Sequence, residues 1–210
     1  MKGRKVILQV LWRFLLFFIC IIVSNLQIVY ASEQKNIFKT KVEKFFQKLK
    51  TLEADFIQVS PSGKISKGKI FLDLPGKLRI DYQSPNDLLI TCKGIWVVIQ
   101  NRKSKTTNNI LLSQTPFSIL LDKRVNFQNE DLILSLTSKS SIISLKINVA
   151  KNPKLGGLIL EFSDNPFLLK KWIIKDVVGD ETTVFIQNTI YNSKLPYTLF
   201  FQDDFPEPTN

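Results

Sequence analysis

The stretch ISKGKIFLDLPGKLRIDY, residues 65–82, decides the fold. Apolar and polar residues alternate on both sides of Pro75-Gly76, a pair that favours a tight turn. The alternation places Leu78, Ile80 and Tyr82 on one face of the second run. The first run contributes a matching face, which contains Gly68, Ile70, Leu72 and Leu74. This pattern predicts an antiparallel β-hairpin with one buried face.

Runs with the same two-residue period lie on both sides of this hairpin and predict further strands. Two segments differ. Residues 36–50 repeat apolar side chains at spacings of three and four, which predicts an amphipathic helix, and the turn at 115–121 predicts a short helix after Pro116. Many strand-like runs at roughly ten-residue spacing, with few helices, predict a mainly β (α+β) protein built as an incomplete antiparallel barrel or strongly curved sheet. The predicted strands cover residues 52–60, 65–74, 77–82, 87–91, 95–100, 132–136, 142–149, 158–162, 172–176, 182–188 and 197–201.

The amino terminus has the layout of an export signal. Basic residues at Lys2, Arg4 and Lys5 precede an apolar run, Phe14 to Val23, and the small-residue site ends at Ala31. The run is about half the length that a membrane-spanning helix needs, so a permanent anchor is the weaker alternative. We expect residues 1–31 to be a cleavable signal peptide and residues 32–210 to form a single domain in the periplasm.

Charge and cysteine content limit the possible partners and the sources of stability. The chain carries a net charge of +11, but its lysines are scattered, and the export signal further disfavours a nucleic-acid partner. Removing residues 1–31 would leave Cys92 as the single cysteine, so no internal disulfide is expected.

The sequence lacks histidine and the motifs of several common catalytic sites. There is no histidine and no nucleotide-binding or nucleophile-elbow motif. Carboxylates come close in sequence at Asp81 with Asp87, and at Asp176 with Asp180 and Glu181, but a polar strand face and a turn tip explain them better. We therefore expect no enzyme, no catalytic residue, no metal and no cofactor. The 16 phenylalanines instead indicate a large core or an apolar cavity.

An ordered set of segments resembles the periplasmic outer-membrane lipoprotein carriers, the LolA family. It begins with Phe56-Ile57-Gln58, continues through Ser66 to Leu72 and Pro75 to Tyr82, and ends near Thr182. The later matches are Pro85, Lys93-Gly94-Ile95-Trp96, Thr115 to Leu121 and Asp176 to Thr182.

The resemblance implies a half-barrel with a helical lid that encloses an apolar cavity for acyl chains. It also implies a periplasmic, monomeric chaperone that takes acylated lipoproteins from an inner-membrane lipoprotein-releasing ATPase complex and delivers them to an outer-membrane receptor. We predict the cavity lining from strand parity, that is, from which alternate side chains of each strand face inward, and the resemblance places the lid. The predicted lining is Phe56, Ile70, Leu72, Leu78, Ile80, Tyr82, Trp96, Val98, Leu160, Phe162 and Ile174, and the predicted lid is Phe117, Leu120 and Leu121.

One position departs from the family pattern. Many members carry an arginine directly before the proline of the hairpin turn, where it bonds to the lid, but this chain has Leu74 there. Either Arg79 substitutes as a latch, against its outward parity, or the lid closes by apolar contact alone.

Two other functions fit the same sequence. The protein could carry a free lipid or glycolipid, because the sequence describes a cavity and not its cargo. It could also be an envelope sensor or protein-interaction module of the same fold. An exported hydrolase would need polar groups converging in the cavity, which strand parity does not supply.

Overall fold

The structure, a computed structural model, describes residues 33–122, 127, 132–147 and 156–205. The predicted signal peptide, residues 1–31, lies outside this range. The chain divides into two compact units, residues 1–40 and 41–210. The described part of the first unit is helical, and Thr40 Oγ1 donates a hydrogen bond to the carbonyl of Asn36 at 2.9 Å. Helical structure covers residues 33–48 in all, and we call this helix α1. No helix in the described ranges is long and apolar enough to cross a membrane.

The second unit is dominated by an open antiparallel sheet of eleven strands. Consecutive strands pair as antiparallel hairpins except β6 and β7, which form the two edges of the sheet, and the first strand pairs with the last. The order is β6-β5-β4-β3-β2-β1-β11-β10-β9-β8-β7. This architecture confirms the predicted mainly β fold with an unclosed sheet. The strands are β1 Thr51–Val59, β2 Ile65–Asp73, β3 Lys77–Tyr82, β4 Leu88–Lys93, β5 Trp96–Asn101, β6 Thr106–Leu111, β7 Ile133–Lys139, β8 Ile142–Ile147, β9 Gly157–Ser163, β10 Leu168–Lys175 and β11 Glu181–Tyr191.

Short helical segments interrupt the meander at two places. A 3-10 helix, Leu112–Gln114, leads into helix α2, Ser118–Leu121, between β6 and β7, where the sequence predicted a short helix. A second 3-10 helix, Tyr197–Phe200, follows β11.

The alternation that predicted the strands also produces the core. In β3, Leu78, Ile80 and Tyr82 are buried, and the residues between them are half-buried. An aromatic cluster within the second unit fills the space between residues 41–48 of α1 and the β9–β11 side of the sheet. There Phe45 lies 5.3 Å from Phe162 and 5.7 Å from Tyr191, measured between ring centroids. Edge-to-face contacts of this kind add to the stabilisation from burial itself.

Two elements differ from the sequence predictions. Strand β6 was not predicted, because its segment TTNNIL is largely polar and lies at an exposed sheet edge. Residues 197–201 were predicted as a strand, which is wrong. The segment forms a 3-10 helix, in which Phe200 is buried and the carbonyls of Leu199 and Phe201 accept hydrogen bonds from Arg79.

Candidate functional site

The candidate site is a small cavity of about 110 Å³ on the inner face of the sheet. Strand pairing explains how it forms, since Ile70 faces Ile80 across β2 and β3, and Ile80 faces Ile90 across β3 and β4. Strands on both sides of β1 contribute to one cavity, so the sheet curves around it. The lining is Phe56, Gln58, Ile70, Ile80, Tyr82, Ile90, Phe117, Trp172, Ile174 and Val184.

A glycine makes room for the aromatic wall of the cavity. Gly68 pairs with Phe56 on one side and with Tyr82 on the other, and these two rings meet edge to face at 5.1 Å. A Cβ atom on Gly68 would lie 2.1 Å from the carbonyl oxygen of Asp81 and 2.6 Å from the Phe56 ring. The absence of a side chain at this position therefore lets Phe56 and Tyr82 close over β2.

The cavity is largely apolar but contains a few polar groups. The Tyr82 hydroxyl donates a hydrogen bond to Gln58 Oε1 at 2.8 Å. Burial raises the pKa of Tyr82, and the hydrogen bond with Gln58 acts in the opposite direction. The indole nitrogen of Trp172 is buried and has no hydrogen-bond partner within the described ranges. No lining residue carries a charge at neutral pH, so the cavity suits a neutral, largely apolar occupant.

The segment around α2 covers one side of this cavity. Phe117 lines the cavity and meets the Trp172 ring edge to face at 5.8 Å, while Leu120 and Leu121 are buried. Local hydrogen bonds shape the segment, since Thr115 Oγ1 donates to the Leu112 carbonyl at 2.8 Å and Ser118 Oγ donates to the Thr115 carbonyl at 2.9 Å.

A backbone hydrogen bond ties the end of α2 to the first hairpin. The Gly76 amide in the β2–β3 turn donates to the Leu121 carbonyl at 3.0 Å, and the Gly94 amide donates to the Gly76 carbonyl at 3.2 Å. Beside this contact lies an open groove of about 890 Å³, which Gly76, Gly94 and Leu121 help to line. The groove is open to solvent next to α2 and has the largest volume of the three pockets described.

Arg79 is positioned for a different task from the predicted latch. It lies on the outer face of β3, where it pairs with Asp81 at 2.6 Å and donates to the carbonyls of Leu199 and Phe201 at 3.1 and 3.3 Å. The latch role for Arg79 is therefore corrected, because strand parity directs it away from the inner face. Leu74 is half-buried, and its amide donates to the Lys50 carbonyl at 2.8 Å.

The contacts of Arg79 belong to a polar network that holds residues 197–203, which we call the C-terminal strap. Arg102 binds Asp81 at 2.5 Å and Asp203 at 2.6 Å, and the buried side chain of Gln100 exchanges two hydrogen bonds of 2.8 Å with the backbone of Asp203. Burial acts to raise the pKa of Asp81, but hydrogen bonds from Arg102 and Arg79 outweigh it, so this pKa lies below its usual value.

The structure brings five of the predicted lining residues together with Phe117 around the cavity. These five are Phe56, Ile70, Ile80, Tyr82 and Ile174. Four others are buried in the surrounding core. They are Leu72, Leu78, Leu160 and Phe162.

Trp96 and Val98 are placed on the opposite face, which corrects their assignment to the cavity. The two-residue turn Gly94-Ile95 pairs Trp96 with Lys93, and Val98 pairs with Thr91 on the outer face. Trp96 is 49% exposed, and Val97 takes the inner position opposite Cys92. The register of this two-residue turn fixes the face of the sheet that each following side chain occupies. The apolar character of Trp96 does not change that face.

Sequence reasoning missed four lining residues. Three of them share the parity of predicted ones, since Ile90 pairs with Ile80, Trp172 lies two residues before Ile174, and Gln58 lies two residues after Phe56. Val184 pairs with Trp172. Extending the strand alternation from the predicted residues could have found Ile90 and Trp172. Gln58 was passed over because it is polar.

The described residues contain no group of three or more acidic, cysteine or histidine side chains that could hold a metal ion. Burial raises the pKa of Cys92, the one cysteine in these ranges, to about 11. Its thiol is therefore protonated at neutral pH and is a poor nucleophile.

Sequence comparison relates the chain to a distantly similar protein. A relative from Rickettsia prowazekii (strain Madrid E), an uncharacterized protein, is 25% identical over 139 residues. The match covers 66% of this chain and 65% of the relative, so the chain spans less than two thirds of that protein's length.

Solved structures with similar topology share little sequence with the chain. A LolA superfamily protein from Nitrosomonas europaea is 12% identical, with a TM-score of 0.41, over 74% of this chain and 91% of its own. A DUF1329 family protein from Desulfovibrio piger is 11% identical, with a TM-score of 0.48, over 80% and 96% of the two chains.

The family model described as outer membrane lipoprotein carrier protein LolA matches residues 47–203. This range includes every strand of the sheet, the α2 segment and the lining of the cavity. Because the match extends over well more than half of the sequence, the chain belongs to the LolA family.

Proposed function

We propose that this protein is a periplasmic carrier that binds the acyl chains of lipoproteins released from the inner membrane and delivers them to an outer-membrane receptor. The observation that carries the proposal is the uncharged cavity on the inner face of the sheet, covered by Phe117 from the α2 segment. Family membership supports the same role.

The cavity is too small to hold an acyl chain while the α2 segment stays in place. Small-molecule sites usually enclose about 300–1,000 Å³, whereas this cavity measures about 110 Å³. An acyl chain therefore needs the α2 segment to move before it can enter. The neighbouring 890 Å³ groove, next to the backbone bond between Gly76 and Leu121, supplies a path along which a chain would arrive.

The energies of opening and binding are of similar size. Exposing Leu120 and Leu121 would cost about 1.5–3 kcal/mol each, and burying one methylene group gains about 0.8 kcal/mol. About four to eight methylene groups would offset the exposure of both leucines. A lid of this size would stay closed without cargo and open for a long acyl chain, yet still allow release to a receptor with higher affinity.

The remaining features of the proposed pathway rest on the sequence and the family. Residues 1–31 would direct export and be removed, which leaves residues 32–210 as a monomeric domain. The carrier would receive cargo from the inner-membrane lipoprotein-releasing ATPase complex and would perform no covalent reaction, so no cofactor is needed.

Native mass spectrometry of the exported form, mixed with a triacylated lipoprotein or with its unacylated form, tests the proposal. A complex with the acylated form alone is the expected result. Equal binding of both forms would contradict the carrier role and favour a protein-interaction module. Copurified free lipid, with neither lipoprotein bound, would favour a carrier of lipid or glycolipid.

A matched pair of variants ties this result to the cavity. Ile174 lines the cavity, whereas Ile173, its neighbour on β10, faces the other side of the sheet, and both side chains are half-buried. Ile174→Gln should weaken binding of the acylated lipoprotein at least about fivefold, because it places an amide against the acyl chain. Ile173→Gln should leave binding within about twofold. Equal effects of the two substitutions would exclude the cavity as the binding site.

A further inference from the structure

We propose a second binding site, separate from the acyl cavity, that takes a single-chain lipid with an anionic headgroup. The site is a pocket of about 380 Å³ within the second unit, between residues 41–49 and the β10–β11 side of the sheet, and we call it the lysine-rimmed pocket. None of its lining residues lines the acyl cavity. The lining is Lys41, Lys44, Phe45, Lys48, Leu49, Phe167, Leu168, Tyr191 and Asn192.

The floor of the pocket is apolar. Phe45 lies 5.7 Å from the Tyr191 ring and 6.0 Å from the Phe167 ring, and Leu49 is only 6% exposed. The Phe45 ring contacts both of the other rings edge to face, which restricts the rotamers of this apolar surface. The volume of about 380 Å³ falls within the range of small-molecule sites, about 300–1,000 Å³.

The rim of the pocket is positively charged. Lys41, Lys44 and Lys48 recur at spacings of three and four residues, which places their side chains along one side of α1. Lys41 forms an ion pair with Asp164. Lys44 and Lys48 are exposed, and within the described ranges neither has an acidic side chain within 4.0 Å.

Charge and shape together define the occupant. An apolar tail would cover the Phe45 and Phe167 rings, and a phosphate or carboxylate would lie near Lys44 and Lys48, which have no acidic side chain within 4.0 Å among the described residues. A ligand needs both the apolar and the charged contacts. Free phosphate would leave the apolar floor exposed to water, and a neutral lipid would form no ion pair with the lysines. The geometry points to an anionic amphiphile.

Isothermal titration calorimetry and backbone-amide NMR with octyl phosphate, octanol and inorganic phosphate test this site. We expect octyl phosphate to bind at least about fivefold more tightly than either comparison compound, because it alone makes both the apolar and the charged contacts. Its amide shifts should be centred on residues 44–49, 167–168 and 191. Comparable affinity for octanol, or for inorganic phosphate, would overturn the proposal.

Charge-matched variants separate a specific site from general attraction to a basic protein. Lys44→Gln combined with Lys48→Gln should weaken octyl phosphate binding about fivefold or more. Lys64→Gln combined with Lys67→Gln removes the same charge from exposed positions on the β1–β2 hairpin and should change binding less than about twofold. Equal effects of the two double variants would overturn the proposal.

Two further controls identify the site and the class of ligand. Ile174→Gln in the acyl cavity should leave octyl phosphate binding unchanged, and a loss there would assign the compound to the cavity and refute a second site. A glutamate-rich peptide should fail to displace octyl phosphate at equal concentration. Displacement by the peptide would refute a lipid site and indicate an acidic protein partner.

Discussion

Replacing Gly68 with alanine should strongly destabilise the fold. The new Cβ would lie 2.1 Å from the Asp81 carbonyl oxygen, whereas real Cβ atoms essentially never approach other heavy atoms closer than 3.0 Å. Relief needs a shift of about 1 Å in the backbone of β2 or β3. Asp81 resists this movement because Arg79 and Arg102 both hold its carboxylate. We expect Gly68→Ala to lower the free energy of unfolding by about 3 kcal/mol.

Gly157 provides the matched control, because it is also a strand glycine. A Cβ at this position would meet only the Lys175 Cβ at 3.9 Å, an ordinary contact. Gly157→Ala should therefore leave the free energy of unfolding unchanged or raise it by about 0.5–1 kcal/mol, since alanine is less costly than glycine within a strand.

Urea denaturation followed by circular dichroism measures both variants against the parent protein. The denaturation midpoint should fall for Gly68→Ala and not for Gly157→Ala, with similar slopes for all three proteins. Equal midpoints for the two variants would refute the reasoning, because they would show that β2 and β3 separate at little cost. A fall for Gly157→Ala alone would refute it as well.

Three further changes test the lid, the strap and the core. Phe117→Ala should shift Trp172 fluorescence to longer wavelength and speed uptake of a fluorescent fatty acid about threefold to tenfold, because it removes an edge-to-face contact of about 0.5–1.5 kcal/mol; unchanged emission and uptake would contradict a lid role. Asp81 has a lowered pKa, so its contribution is present above about pH 4, the unfolded value, and is lost as the pH falls through the lower folded value. Asp81→Asn should thus reduce the thermal midpoint at pH 7 and reduce it progressively less as the pH falls below about 4, and a difference that does not shrink in acid would exclude linkage to this carboxyl. Cys92, fully buried with its pKa raised to about 11, should react with a thiol reagent at pH 8 only after unfolding, and rapid reaction of the native protein would contradict this assignment.

The strands with regular alternation were predictable, and those without it were not. Residues 77–82 alternate without a break, and the structure forms β3 over the same residues. The segment of β6, TTNNIL, has no apolar face because it pairs only at the exposed edge of the sheet. Residues 197–201 carry enough aromatic side chains to resemble a strand. Their conformation depends instead on Arg79, which lies more than a hundred residues earlier in the chain.

The candidate site was predictable where parity could be counted along one strand. Ile70, Ile80 and Tyr82 followed from the first hairpin, and they line the cavity. Parity in β5 depends on how the turn after Lys93 pairs, and this local detail moved Trp96 to the outer face. The lysine-rimmed pocket was not predicted at all, because Phe45, Phe167 and Tyr191 lie far apart in the sequence, in α1, in the turn before β10 and in β11.

The sequence by itself determined the strand pattern, the absence of histidine chemistry and the resemblance to the lipoprotein carriers, because each depends on residue types and short spacings. Tertiary structure alone decided that β1 pairs with β11, that α2 closes on the first hairpin through Gly76, and that Arg79 holds the C-terminal strap. These features join residues far apart in the chain. Their energies depend on distances that arise only when the sheet has curved, and no local pattern encodes them.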